Sequence, residues 1–305
     1  MTTPTAIEIS HLTRTFGKTT AIDDLSVTVA KDSIVGLLGR NGAGKTTLMA
    51  LITGQDRPSA GSIKVFGQSA VENPQVQEKI SFIRDNQRYP EDFTPAKAFA
   101  AAKIFHPRWS QELAETMIDQ FEIPVNTMIK KLSRGQISSV AFTIGLASRA
   151  PLTFLDEPYL GLDATNRNTL YQVLLDDYLQ HPRTFIISTH LIDEIDKILE
   201  HVLVVDRGKL VLDDEVDAIR HRYQSVSGPA GIVAELTKDK TPLSTFTLGG
   251  LRSALVERSF DTNQVATAQH HGAEITTASL QDVVAALGVH ESAAETGKTR
   301  GEARS

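Results

Sequence analysis

The chain has 305 residues, 41% of them apolar and 22% charged, with a formal net charge of −6 and no cysteine. That length and balance suit a soluble α/β domain joined to a smaller second unit. The acidic sign argues against a general nucleic-acid binder, and the missing cysteines exclude disulfides and thiolate metal sites and fit a reducing compartment.

Met1–Ala6 has neither the basic nor the apolar region of a signal peptide. No apolar run approaches the ~18–20 residues that cross a bilayer, so a membrane role is expected to pass through a partner. Ile7–Leu12 and Leu25–Val29 alternate apolar and polar positions, which predicts two half-exposed antiparallel strands. Ile34–Leu38 is continuously apolar, as a parallel strand covered on both faces should be, and Thr46–Ile52 reads as a helix stopped near Gly54. Ser62–Phe66 and Ile80–Ile83 predict short strands. Helical periodicity follows in Ala96–Phe105 and Gln111–Phe121, split by His106-Pro107, and again in Ser133–Ala150. Pro151–Leu155, Thr184–Ser188 and Val202–Asp206 predict strands, alternating with helices at Ala164–Leu179 and Leu191–Leu199. Such alternation predicts a mainly parallel sheet packed with helices. Beyond Val216 the composition shifts, and Ser225-Val226-Ser227-Gly228-Pro229 reads as a joint. The strand-like pieces after it are short and scattered, Ala278–Leu287 predicts an amphipathic helix, and Glu291–Ser305 reads as a disordered tail.

Three segments carry chemistry. Gly39-Arg40-Asn41-Gly42-Ala43-Gly44-Lys45-Thr46-Thr47 lies between a predicted buried strand and a helix, the required setting of the G-x-x-x-x-G-K-[ST] phosphate loop. Its glycines let backbone N–H groups close around phosphate oxygens at a helix N-terminus. Lys45 is placed to reach the β- and γ-phosphates, and the Thr46 hydroxyl to ligate Mg²⁺, so a nucleoside triphosphate is the expected ligand. The strand Pro151–Leu155 delivers Asp156 and Glu157, the first suited to holding Mg²⁺ and the second to deprotonating a water in line with the γ-phosphorus. Leu132-Ser133-Arg134-Gly135-Gln136 opens a helix with Ser133 in an N-cap-like position.

The phosphate loop, Leu-Ser-x-Gly-Gln, Asp-Glu-Pro, Gly161-Leu162-Asp163 and Ser188-Thr189-His190 occur in one order. Over about residues 5–215 the chain therefore resembles the ATPase subunit of an ATP-binding cassette (ABC) transporter. The resemblance implies a mixed sheet with an antiparallel β subdomain, a helical subdomain inserted at about 94–150, and a small α+β extension over 216–290. It implies two copies, identical or paralogous, paired head to tail around ATP and Mg²⁺. Each nucleotide would lie between one phosphate loop and the other copy's Ser133, Gly135 and Gln136. His190 would contact the γ-phosphate and position water with Glu157, and Asp163 would link the two sites. Phe16 matches an aromatic that stacks on adenine, an ordinary core phenylalanine being the other reading.

Departures from the family pattern are visible. Where a glutamine usually follows the strand at Ile80–Ile83, ungapped counting finds Asp85, with Gln87 two residues on, and either is a candidate Mg²⁺ and water ligand. Arg134 and Leu160 replace the usual glycine and serine. Because Lys45, Asp156, Glu157 and His190 are retained, an active ATPase is expected. The resemblance also implies separate integral-membrane permease subunits docking on the helical region, with Phe99, Ile104, Phe105 and Trp109 as anchors or as ordinary core, and a place on the cytoplasmic membrane face. Ser279-Leu280-Gln281-Asp282-Val283 and Ile83-Arg84-Asp85-Asn86-Gln87 resemble the exporter branch called ABC-2 or drug and bacteriocin-resistance type. Export of a drug, antimicrobial peptide or lipid-like molecule is thus the first expectation. A soluble ABC ATPase of DNA repair or translation, and an ATP-dependent regulator, are the alternatives.

Overall fold

The computed structural model describes residues 4–84, 87–257 and 260–287. Asp85 and the expected tail at Glu291–Ser305 lie outside the described residues. The chain forms two compact units, Met1–His190 with Ile198–Asp213, and Leu191–Lys197 with Asp214 onward.

In the first unit, β1 (Thr5–Phe16) and β2 (Thr19–Ala30) form an antiparallel pair. The predicted alternation is the register: Ile7 faces Val29, Ile9 faces Val27 and Leu12 faces Leu25, all buried. β3 (Ile34–Leu38) is buried at every position, and β4 (Ala60–Val65) returns to pair with β1. The larger sheet then gathers β5 (Ile80–Ile83), β6 (Leu152–Asp156), β7 (Thr184–Thr189), β8 (His201–Asp206) and β9 (Lys209–Glu215) in the order β5-β6-β7-β3-β8-β9. Strands β5, β6, β7, β3 and β8 run parallel. β9 follows β8 through the two residues Arg207-Gly208, a connection only an antiparallel pair accommodates, so the sheet is mixed. Phe154 in β6 and Phe82 in β5 meet edge to face at 5.8 Å inside it.

Between β5 and β6 the chain inserts helices at Pro95–Phe105, Gln111–Gln120 and Arg134–Ala147, each opened by a side-chain cap from Thr94, Ser110 or Ser133. The third packs on the other two and on β5 and β6. Phe99 is buried and its ring lies 6.4 Å from that of half-buried Trp109, so Phe99 belongs to the core of this bundle. Ile104 (80% exposed) and Phe105 (71%) point outward.

Three sequence expectations are corrected by the structure. The helix predicted to run to Ala150 stops at Ala147, because Arg149 turns through φ 44° to enter β6. The helix predicted over Leu191–Leu199 is only Ile192–Ile195. Leu199 is instead drawn under β3, where a Cβ on Gly36 would meet its Cδ1 at 2.7 Å, and the Glu200 carboxylate accepts from the Ile34 N–H. The third difference is the presumed joint at 225–229, which is β10 (Tyr223–Pro229), a central strand. It lies between β12 (Leu251–Glu257) and β13 (Glu274–Thr277), with β11 (Ser244–Leu248) outside β12, all antiparallel. Helices Ala230–Leu236 and Thr262–His270 pack on this sheet, giving the second unit its α+β character. The expected terminal helix forms over 280–287, with Leu280, Val283 and Ala286 buried on one face.

Candidate active site

Register brings the chemistry to one edge. Leu38 pairs with Thr189, and Asp156 pairs with Ser188, so the carboxyl ends of β3, β6 and β7 stop at one level. In an open parallel sheet that edge is where ligands bind. Asn41, Gly42, Gly44, Lys45, Thr46, Thr47, Asp156 and Glu157 line a single open cleft there, with Ala21 from β2.

The loop's shape needs its glycines. Gly39 sits at φ 145°, and a Cβ on it would lie 2.1 Å from the Val205 carbonyl oxygen. Gly44, at φ 110°, would meet the Ala21 oxygen at 2.6 Å. Gly39, Arg40 and Ala43 do not line the cleft; they shape the loop from beneath, where Ala43 N–H donates to Arg40 O and Gly208 N–H to Ala43 O. The helix Lys45–Ile52 starts at Gly44 without any side-chain cap, which leaves its first N–H groups for an anion. Lys45, a residue only 8% exposed, donates from its ammonium to the carbonyls of Gly39 (2.7 Å) and Arg40 (3.2 Å). Burial pulls its pKa down, against the pull of Glu157 and Asp156. A buried ammonium beside uncapped amides fits a polyphosphate. Thr46 Oγ1 donates to Asp156 Oδ2 at 3.3 Å, pairing two hard oxygen donors of the kind Mg²⁺ takes alongside water and phosphate.

Glu157 turns out of β6 at φ 50°, a left-handed conformation a non-glycine residue adopts at a cost of about 1 kcal/mol or more. Its N–H holds the Ser188 carbonyl at 3.0 Å and its carbonyl takes the Leu160 N–H at 3.2 Å, which fixes the turn. That turn is why two adjacent carboxylates both reach the cleft. Burial pushes the Glu157 carboxyl up, only partly offset by His190 and Lys45. His190, half exposed at the end of β7, places Nδ1 2.9 Å from Glu157 Oε2.

Sequence reasoning passed over Tyr159. Its ring is 2% exposed, and its hydroxyl touches Glu157 Oε2, His190 Nδ1 (3.1 Å), Thr189 Oγ1 (2.9 Å) and the His190 N–H (3.2 Å). The only available signal was a hydroxyl-bearing aromatic two residues after the base candidate, and nothing local says where that hydroxyl goes.

Ser133, Gly135, Gln136 and Asp163 do not line the cleft. Ser133 and Gln136 form a reciprocal capping box at the start of the helix Arg134–Ala147. Asp163 caps the next helix, Ala164–Gln180, through the Asn166 N–H at 2.8 Å. The two loops interlock: a Cβ on Gly135 would sit 2.4 Å from Gly161 O, and Ser138 Oγ donates to Leu160 O at 2.6 Å. Phe16 is not core; it is 49% exposed at the end of β1, with the Arg14 guanidinium 4.3 Å from its ring centre. Gln87 is half-buried after β5 and donates its N–H to Arg84 O at 3.2 Å.

A phosphate loop at β3, carboxylates at β6 and a histidine at β7 define the phosphate-loop ATPase class. The family model for the ABC transporter matches residues 22–160. The aliphatic sulfonates import ATP-binding protein SsuB 1 of Pseudomonas syringae pv. tomato is 30% identical over 233 residues, covering 76% of this chain and 80% of that protein. The ABC transporter ATP-binding protein YtrB of Bacillus subtilis is 25% identical over 217 residues (71% and 74%). The bacitracin transport ATP-binding protein BcrA of Bacillus licheniformis is 27% identical over 221 (72% and 72%). Among solved structures, an ATP-binding subunit of an ABC transporter superposes with a TM-score of 0.64 at 21% identity, covering 70% of this chain and 92% of its own. A dimeric bacterial ABC transporter cassette, MJ0796, gives 0.62 at 19%, covering 69% and 98%.

The chain belongs to the ABC transporter ATP-binding proteins. It is an ATPase subunit of an ABC transporter. No helix among the described residues is long and apolar enough to cross a membrane.

Proposed function

We propose that this chain powers export, through separate permease subunits at the cytoplasmic membrane face, of a drug, antimicrobial peptide or lipid-like molecule. The single observation carrying the ATPase part of this reading is the convergence of Lys45, Thr46, Asp156 and Glu157 on one cleft. The loop amides and Lys45 bind the triphosphate. Thr46 and Asp156, with Gln87 as a further candidate, would hold Mg²⁺, which neutralises charge on the phosphate oxygens when bound. Glu157 takes the proton of the attacking water, and its raised pKa makes it the stronger base. His190 faces the carboxylate through Nδ1, so that nitrogen carries the proton and Nε2 is left for the γ-phosphate side. Ser133, Gly135, Gln136 and Asp163 serve the neighbouring copy's nucleotide, and Phe16 offers a ring face to adenine.

Support for export comes from the buried 280–287 helix, opened by Ser279 Oγ on the Asp282 N–H (3.0 Å), and from the similarity to the bacitracin transport protein. SsuB is an import protein of comparable similarity, so the two directions make different predictions. Deleting the gene should raise sensitivity to cell-envelope-acting peptide antibiotics. A strain that keeps full resistance but fails to grow on one limiting sulfur or polyamine source would overturn export. Docking is expected at exposed Ile104 and Phe105. Replacing both by Asp should release the chain from membranes, read by fractionation, while ATP hydrolysis by the soluble fraction stays intact.

A further inference from the structure

The contacts of the Tyr159 hydroxyl fit one bonding arrangement, in which His190 Nδ1, 3.1 Å away, turns its proton to Glu157 rather than to the hydroxyl. A phenolic oxygen has two acceptor sites and one proton. Thr189 Oγ1 donates to it at 2.9 Å and the His190 backbone N–H at 3.2 Å, which fills the acceptor sites. The remaining proton is directed at Glu157 Oε2, the neighbour that the hydroxyl contacts. His190 Nδ1, 2.9 Å from the same oxygen, supplies a second donor. Two donors therefore converge on Oε2, and Oε1 has no hydrogen-bond partner among the described residues. Because Glu157 borders the nucleotide cleft, the oxygen left unclaimed is the one available to water.

A phenylalanine would fill the same buried space, so packing does not explain the hydroxyl. All its contacts are with the candidate base, the candidate γ-phosphate residue and the threonine preceding the latter. From these we infer that Tyr159 is a positioning residue: its hydroxyl clamps Glu157 Oε2 against His190, so that only Oε1 acts on the attacking water. This rests on the reading of Glu157 as the base.

The test is steady-state ATP hydrolysis by the full chain carrying Tyr159→Phe, alone and combined with His190→Ala, with Glu157→Gln in parallel. Tyr159→Phe should lower kcat about tenfold, as loss of a hydrogen bond to a charged group does, while KM for ATP and Tm stay near wild type. With His190→Ala already present, the further loss should shrink, because both donors act on one oxygen. Wild-type kcat in Tyr159→Phe, losses that multiply fully with His190→Ala, or kcat, KM and Tm all shifting together would each overturn the inference. If Tyr159→Phe does not fold, Thr189→Val removes the hydroxyl's own anchor: kcat should fall at unchanged KM, and an unchanged kcat counts against the clamp. Unimpaired turnover by Glu157→Gln would instead sink the reading of Glu157, a result separable from any effect at Tyr159.

Discussion

Glu157→Gln should abolish ATP turnover, by roughly 10²–10⁴-fold for a lost general base, while ATP binding is retained. The amide keeps the side chain's shape and can still take donors from Tyr159 and His190 at its carbonyl oxygen, but it cannot accept a proton. The same exchange should raise the Tm of the nucleotide-free chain at neutral pH. The sign follows from linkage. The carboxyl is raised by burial in the folded state, so any stability it contributes is present below its unfolded pKa and lost as pH rises through the folded one. Above its unfolded pKa the buried carboxyl is therefore a net cost, which glutamine removes. Melting curves at pH 5 and pH 8 should show a Tm gain that is larger at the higher pH. Normal phosphate release by the variant would end the assignment of Glu157 as base. A variant less stable than wild type at pH 8 would show instead that His190 and Lys45 outweigh the burial.

Gly39→Ala carries the largest expected loss of stability. Two independent penalties act there: an alanine at φ 145°, and a methyl 2.1 Å from the Val205 carbonyl oxygen. Both obstacles are backbone, so neither a rotamer change nor a flexible chain end relieves them. Strain and overpacking together should cost about 3 kcal/mol or more, lowering Tm by about 6–12 °C. Nucleotide affinity should fall with it, since displacing Gly39 removes the carbonyl that holds Lys45. Gly42→Ala is the matched comparison: it shares positive φ (83°) but a Cβ there meets nothing within 4 Å. Its Tm should drop by less than a third as much. Equal losses at the two positions would show that backbone conformation, not the approach of Val205, decides.

The parts of this site legible from sequence are those in which one contiguous segment builds the geometry. The phosphate loop carries its own strand, glycines and helix, and the capping box spans only Ser133 to Gln136. Tyr159 was invisible because its partners come from the end of β7, and only the parallel pairing of β6 with β7 brings Thr189 and His190 alongside. Leu191–Leu199 has the apolar spacing of a helix, but Leu199 and Glu200 are claimed by β3, and tertiary packing outweighed periodicity. Ser225–Pro229 looked like a joint for its small residues. In β10 those residues serve close packing, since a Cβ on Gly228 would lie 2.7 Å from the Ala273 Cα.

The backbone-to-backbone seat of Gly135 on Gly161 has a mechanical corollary. Ser133 and Asp163 each lie two residues from that seat, against which the Arg134 and Leu162 side chains also pack. A shift of one loop is therefore expected to disturb the other, since the two backbones meet without slack at the seat. A bulkier residue at Gly135 would pry the two loops apart, since its Cβ would lie 2.4 Å from Gly161 O.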